Sequence, residues 1–391
     1  MSTFTQESRR ATQRYYTTAN SIDQVIYTPR LAKHTNNYQD IKPYGNYDNL
    51  YPQKIIEVAQ KSWALSTALA TFKDFTIGDG FGESDEVVIN SKGQTLFDLL
   101  TFIAKDKSTL GFAVHVNYNA LGKIIEMQHV DFDALRYNEK GLLVYNPDWS
   151  NRYATDNYGR EVVYNLFDPE KSVEQANEVG WENYTGQVFY WTGTNSIYPL
   201  ATFDAALEAG QYQADEELFK LRNIQNGFAL SGVFTYPKIA ENQKENDGVI
   251  DSLRGDGSGA NSSGRFTVLA VPAGVEGTDK IVQFIPFERS NIDNLYTNQN
   301  KESREAIFSI FRQPAILNAI SETGMFNQQS LQDAFVFYNS IVEKDRKEIE
   351  KALNKLMSYS IFGNMNLEIE PKMLIKSEEN NGNNIADSTE S

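Results

Sequence analysis

Two histidines, His115 and His129, lie close to Asp131 and Asp133. Two imidazoles with a carboxylate are a donor set for a first-row metal ion that could activate water for hydrolysis. The plainer reading is a pair of strand histidines that pack and hydrogen-bond, so no metal ligand, catalytic residue or cofactor is assigned. Gly78-Asp-Gly-Phe-Gly82 has the glycines of a nucleotide turn, but it follows a helical pattern rather than a strand and reads as a plain turn. Asp256-Gly-Ser-Gly259 lacks the spacing of a Ca²⁺ loop and reads as surface loop. The sequence has no Gly-Lys-Ser/Thr phosphate loop, no His-Glu-x-x-His and no Gly-x-Ser-x-Gly elbow, so neither an ATPase nor a common hydrolase is expected. The absence of Cys removes thiolate nucleophiles, disulfides and Cys-based metal sites.

One further set of residues has regular spacing. Asp204, Glu208, Gln211 and Asp215 recur at steps of three and four, which places them along one side of a helix. In isolation such a stripe is a solvated face. The 21 Tyr, 23 Phe and 4 Trp could stack on sugars or bases, but their core-like spacing assigns most of them to burial.

The 391 residues carry 36 Lys and Arg against 52 Asp and Glu, a net charge of −16. This acidity argues against tight binding of a nucleic-acid backbone, which is driven by cations displacing counterions, but not against a surface past which DNA slides. The N-terminus lacks the apolar run of a signal peptide, and no stretch approaches the roughly 20 apolar residues of a membrane span. A soluble protein made in the cytoplasm is expected, with two or three domains at roughly 100 to 200 residues each.

The elements that must position these residues follow from periodicity. Residues 1–51 are polar and aperiodic and read as an arm that orders against a partner. A helix is predicted from Pro52 to just before Gly78, and a second over Thr95–Ser108. Phe112–Tyr118 and Lys123–Val130 alternate as a hairpin around Leu121-Gly122, and strands follow at Leu142–Tyr145, Glu161–Phe167 and Gln187–Trp191. Pro199 opens a long helix over Leu200–Asn226, whose apolar stripe is Leu200, Phe203, Leu207, Gly210, Ala214, Leu218 and Leu221. Strands at Gly232–Tyr236, Phe266–Val271 and Lys280–Ile285 surround a polar helix near Ile239–Leu253 and a Gly/Ser loop at 255–264. Helical periodicity returns at Ile292–Ile310 and stops before Pro314. A last long helix follows Ser330, read as its N-cap, with Glu343/Lys347 and Arg346/Glu350 paired on the solvated face. From Lys376 the chain is a polar tail.

Taken in order, these pieces resemble the portal proteins of tailed bacteriophages. The likeness lies in the Pro-started helix and in Asn226-Gly-Phe-Ala-Leu-Ser-Gly-Val-Phe234. It continues in the Val-Leu-rich Arg265–Pro272, in Ile307-Phe-Ser-Ile-Phe-Arg-Gln-Pro314, and in the Gly324 loop before the Ser330–Met357 helix. Gly111-Phe-Ala-Val-His-Val resembles the family's hairpin. Arg312-Gln313-Pro314-Ala315 departs from the commoner Gly-Val-Pro-Pro, and little chain follows Met357 for a crown.

The resemblance implies an α+β fold with an N-terminal arm (1–51), a mixed wing (52–198), stem helices (199–227 and 290–313) and a clip (228–289). It further implies a tunnel loop (314–330), a wing or crown helix (331–375) and a tail (376–391). It also implies a non-enzymatic dodecameric ring at the capsid vertex of a virion, assembled in the host cytoplasm. Double-stranded DNA would pass through the ring, and the packaging terminase, capsid or scaffold protein and a head-completion adaptor would be its partners. Asp204, Glu208, Gln211 and Asp215 would then line the channel. Asn318, Ser321, Glu322, Thr323, Gly324, Asn327 and Gln328 would form the tunnel loop. The competing expectations are a secreted carbohydrate-binding module and a metal-dependent hydrolase built on His115 and His129.

Overall fold

The computed structural model describes residues 40–45, 49–152, 161–225, 232–237, 267–271, 283–286, 292–318, 328–363 and 365–374. The readings placed on residues 1–39, on the 239–253 helix, on the 255–264 loop and on the tail lie outside them. In chain order the first elements are α1 (Tyr51–Lys61), α2 (Trp63–Ile77), α3 (Leu96–Thr109), β1 (Phe112–Tyr118), β2 (Ile124–Val130), β3 (Leu135–Tyr137), β4 (Leu143–Tyr145), β5 (Val162–Leu166), α4 (Ser172–Val179) and β6 (Gln187–Trp191). Then come α5 (Leu207–Gln225), β7 (Gly232–Pro237), β8 (Thr267–Val271), β9 (Gln283–Pro286), α6 (Ile292–Ile310) and α7 (Gln328–Ser358). The fold is therefore mixed helix and sheet, and it divides into two units. One comprises Met1–Glu57, Leu65–Ala205 and Phe308–Ser391, the other Val58–Ala64 and Ala206–Ile307.

The first unit is built on a six-stranded sheet of order β2-β1-β6-β5-β4-β3. Its neighbours are antiparallel except β5 and β6, which run parallel because α4 carries the chain back between them. Alternation along β1 sends Phe112, Val114, Val116 and Tyr118 to one face. There they pack with Leu96, Leu99, Leu100 and Ile103 of α3 and with Ile349, Leu353 and Leu356 of α7. Each aliphatic side chain buried this completely contributes about 1.5–3 kcal/mol. Helix α3 starts where a capping box permits: the Asp98 amide donates to Thr95 Oγ1 (3.2 Å) and the Thr95 amide to Asp98 Oδ2 (2.9 Å). Gly111, just before β1, has no room for a Cβ, which would lie 2.3 Å from the Trp191 carbonyl oxygen.

The arm boundary at residue 51 needs correction. Ile41 bridges to Asn138, the Lys42 amide donates to the Tyr137 carbonyl (2.7 Å), and Tyr44 is wholly buried, stacked on Tyr198 at 4.3 Å. Residues 40–45, with Asn49 and Leu50, thus belong to the sheet's β3 edge and to the core beside it. Nearby, Arg136 is completely buried, and its guanidinium donates to Asn49 Oδ1 and O, Gln53 Oε1 and the Asp133 and Leu135 carbonyls. Neutral acceptors and the faces of Tyr44 and Trp149 take the place of a carboxylate partner.

The sequence reads α1 and α2 as one helix, whereas the structure interrupts it at Ser62. Helix α2 ends at Gly78, whose φ of 60° favours glycine and whose Cβ, if it had one, would sit 2.0 Å from the Glu370 carbonyl oxygen. The Gly-rich stretch is a turn that pairs with the C-terminal segment: the Asp79 amide donates to Glu370 O and the Glu370 amide to Gly80 O, both at 2.9 Å. That segment runs along α7. Asn354 exchanges two hydrogen bonds with the backbone of Leu367, and Glu350 Oε1 accepts from the Ile369 amide.

The expected Arg346/Glu350 pair is also corrected. Arg346 is buried and turns toward α2, and the exposed ion pairs of α7 are Glu343 with Lys347 and Lys344 with Glu348. Helix α7 already begins at Gln328, so Ser330 lies in its first turn rather than at the cap.

The second unit holds α5, most of α6 and a three-stranded sheet of order β8-β7-β9, parallel between β7 and β8 and antiparallel between β7 and β9. The long helix expected from Leu200 begins seven residues later, at Leu207, because a 3₁₀ turn at Asp204–Ala206 comes first.

Candidate functional site

The two strand histidines do not form one site. Val114 pairs with His129 and His115 with Gln128, so the imidazoles leave opposite faces of the hairpin. His129 lies against α3, its Nε2 2.8 Å from Asp106 Oδ2 and its ring stacked on Phe102 at 5.1 Å. Asp106 Oδ2 also accepts from the Phe132 amide. On the other face His115 Nε2 donates to the Thr185 carbonyl at 2.7 Å, and burial pushes its pKa down. Burial, with Asp106 and Asp131 nearby, raises the Asp133 carboxyl. Among the described residues no group of three or more His, Asp and Glu could hold a metal ion, and the register keeps His115 and His129 from sharing one.

The stripe residues differ among themselves. Asp204, in the 3₁₀ turn, accepts a hydrogen bond from the Tyr51 hydroxyl at 2.7 Å. Glu208, Gln211 and Asp215 are exposed on α5, and Gln211 Nε2 donates to Asp215 Oδ1 at 2.9 Å.

The apolar stripe expected to oppose them is only partly what this helix buries. Gly210 of the stripe is buried, but Leu218 and Leu221 are 43% and 50% exposed, while the polar Gln213 and Glu216 are buried. Polar partners make that burial tolerable. Glu216 accepts from Asn300 Nδ2 of α6 (2.8 Å) and pairs with Lys220 (2.5 Å), and Gln213 Oε1 accepts from the Ser62 hydroxyl. Sequence reading missed Gln213 and Glu216 because both count as polar in a stripe defined by apolar residues.

The loop set is also divided. Asn318 is buried at the end of a 3₁₀ turn (Ala315–Asn318), accepting from Thr71 Oγ1 and donating to Gln313 Oε1, so it anchors the chain instead of lining an opening. Gln328 is exposed at the start of α7. Ser321, Glu322, Thr323, Gly324 and Asn327 lie outside the described residues. Gln313, where the motif departs from the commoner pattern, is buried and ties three elements together: its Nε2 donates to the Ala68 carbonyl of α2 (2.7 Å) and to the Tyr338 hydroxyl of α7 (2.8 Å). The preceding Arg312 makes the bend, at φ 53°.

No family model and no curated protein matches the sequence. Solved structures do. The chain is similar to a protein in the neck of an empty GTA particle computed with C6 symmetry (13% identity, 82% of this chain and 84% of that one, TM-score 0.48). It is similar to one in the neck of a native GTA particle computed with C12 symmetry (15% identity, 82% and 84%, TM-score 0.47). It is similar as well to an HK97-family phage portal protein from Corynebacterium diphtheriae (14% identity, 76% and 88%, TM-score 0.44).

Proposed function

We propose that the chain is a portal protein of a tailed-phage-like particle, a ring-forming structural channel without catalytic activity. The observation that carries the reading is the order of elements within one chain. A mixed α/β body leads into a long helix (α5), a three-stranded module, a returning helix (α6), a bend at Arg312-Gln313-Pro314 and a final long helix (α7). This is the order of wing, stem, clip, stem, tunnel loop and wing that the motif series calls for. In this reading twelve copies surround double-stranded DNA at a capsid vertex of the virion, having assembled in the host cytoplasm. The terminase docks during packaging, with capsid or scaffold protein around the ring, and a head-completion adaptor binds later. No membrane is involved, and among the described residues no helix is long and apolar enough to cross one.

Glu208 and Asp215 are then repeated once per subunit, and stacked acidic rings keep phosphate off the wall. The acidic net charge of −16 is consistent with a channel that lets DNA slide. Exposed apolar side chains such as Leu218, Leu221, Val336 (72% exposed) and Phe337 supply surface for contacts between copies. A carbohydrate-binding module is less well supported, since Tyr44, Tyr198 and Phe112 are consumed in the core. Negative-stain microscopy of the purified chain, alone and with scaffold protein, tests the proposal. Rings with a central hole support it, and a particle that stays monomeric under both conditions overturns it.

A further inference from the structure

Exposed apolar side chains gather at one end of the six-stranded sheet. The β1–β2 hairpin turns at Leu121-Gly122, and Leu121 at its tip is 85% exposed. The chain leaving α7 lies along the start of β2. There the Ile124 amide donates to the Tyr359 carbonyl (2.9 Å) and the Ile361 amide to the Ile124 carbonyl (3.0 Å), with Ser360 bridged to Ile124. Alternate side chains of an extended bridge share a side, so Ser360 is buried while Tyr359 and Ile361 are 36% and 57% exposed. One exposed leucine is ordinary; three large apolar side chains within a few residues of Ile124, drawn from distant parts of the chain, mark a contact surface.

Helix α4 flanks the same tip, since a Cβ on Gly122 would lie 3.3 Å from Val173 Cγ2. Glu174 and Glu178 stand four apart on α4, Glu170 lies in the 3₁₀ turn before it, and Glu182 follows its end at Gly180. All four are exposed, and none forms an ion pair among the described residues. Of the nearby cations, Lys171 pairs with Asp168 (2.9 Å) and Lys355 lies over the Phe167 ring (5.6 Å). The apolar tip is therefore edged with negative charge, which suits a partner that carries arginine beside aromatic side chains.

The chain itself contains such a segment. Residues 1–39 carry Arg9, Arg10, Arg14, Arg30 and Lys33 against Glu7 and Asp23, in a protein of net charge −16, and Tyr15 and Tyr16 directly follow Arg14. This segment joins the described structure at Asp40, where the Glu139 amide donates to the Asp40 carbonyl (3.0 Å) and Arg152 donates twice to its carboxylate (2.9 and 2.7 Å). The junction is at the β3 edge and the apolar tip at the β2 edge, the two ends of the strand order. Such a placement fits head-to-tail association, in which the β3 edge of one copy is turned to the β2 edge of the next. We propose that Arg9–Tyr16 of one copy docks on this tip of a second copy, its arginines on the glutamates of α4 and its tyrosines on Leu121, Tyr359 and Ile361. The second copy is taken from the ring reading, on which the proposal rests.

The chain contains no Cys, so single cysteines can be placed in separate copies without background. Full-length chains carrying Ala11→Cys and chains carrying Ala120→Cys, at the exposed hairpin turn, are co-expressed and treated with a short bismaleimide. The expected product is a linked pair holding one chain of each kind. Arg10→Glu, Arg14→Glu on the first chain, or Glu174→Lys, Glu178→Lys on the second, should each abolish the link. Combining the two reversals should restore it, which a misfolded variant could not do. A link that survives either reversal overturns the proposal, as does one that forms only when both cysteines share a chain, because the arm then lies on its own sheet. Microscopy of the same samples separates this proposal from the ring reading: rings without the link overturn the docking alone, the link without rings supports the docking and counts against the ring, and the absence of both overturns both.

Discussion

Arg346 Nη1, on α7, donates at 2.9 Å to the carbonyl of Phe75, in the last turn of α2. A helix C-terminus has unpaired carbonyls and partial negative charge, and a buried cation there satisfies both. The remaining contacts of this guanidinium, Asn339 Oδ1 and O, lie on its own helix. Arg346 therefore acts as a cap delivered from 271 residues away.

Replacing it should be costly. Arg346→Met keeps the stem but leaves these acceptors without their charged donor, and about 2–3 kcal/mol of stability should be lost. Urea unfolding followed by circular dichroism measures this, and a midpoint equal to that of the parent chain would remove the capping role.

His115 should make the fold acid-sensitive. Burial lowers its pKa in the folded state below the ordinary 6.5, so below that pH the unfolded chain binds more protons than the folded one. Stability contributed by this site is intact above about 6.5 and declines as pH falls below it. The difference in unfolding midpoint between pH 7.5 and 5.5 should shrink in His115→Gln, and an identical difference in both chains argues against it.

Gly78→Ala should detach the C-terminal segment. The new methyl group faces both a positive φ and the Glu370 carbonyl, so a loss exceeding about 1 kcal/mol is expected. Faster hydrogen exchange at the Asp79 and Glu370 amides, with α3 and β1 unaffected, is the expected local signature.

The acidic face of α5 is tested without touching Asp204, whose bond to Tyr51 would confuse charge with folding. In the portal reading the double variant Glu208→Lys, Asp215→Lys should assemble normally but slow DNA movement at low salt. The effect should fade as the Debye length contracts to roughly 10 Å at 0.1 M. Packaging rates that match the parent at every ionic strength would leave the stripe a solvated face.

Local signals in the sequence carried far. The β1–β2 hairpin and the start of α3 were legible because alternation, the Leu121-Gly122 turn and the Thr95–Asp98 pair act within a few residues of each other. β3 and α4 went unread, being only three and eight residues long with little period to display. The roles of Ser62, Gln313 and Arg346 could not be read, because each is fixed by a partner distant in sequence: Gln213, Ala68 and Phe75. The same holds for α5, where hydropathy predicted burial of Leu218 and Leu221 while hydrogen bonding allowed Gln213 and Glu216 to be buried instead.

The core shared by α3, β1 and α7 also has a history on the ribosome. Val114, Val116, Ile124 and Met127 emerge well before Ile349, Leu353 and Leu356, which cover them. At translation rates of roughly 5–20 residues per second, the nascent hairpin waits on the order of tens of seconds for its lid. Throughout that interval it presents an apolar sheet face to the cell, while the inserted second unit, Ala206–Ile307, is synthesised in between. Synthesis of this chain should therefore lean on a holdase chaperone, and chains truncated before α7 should be recovered bound to one.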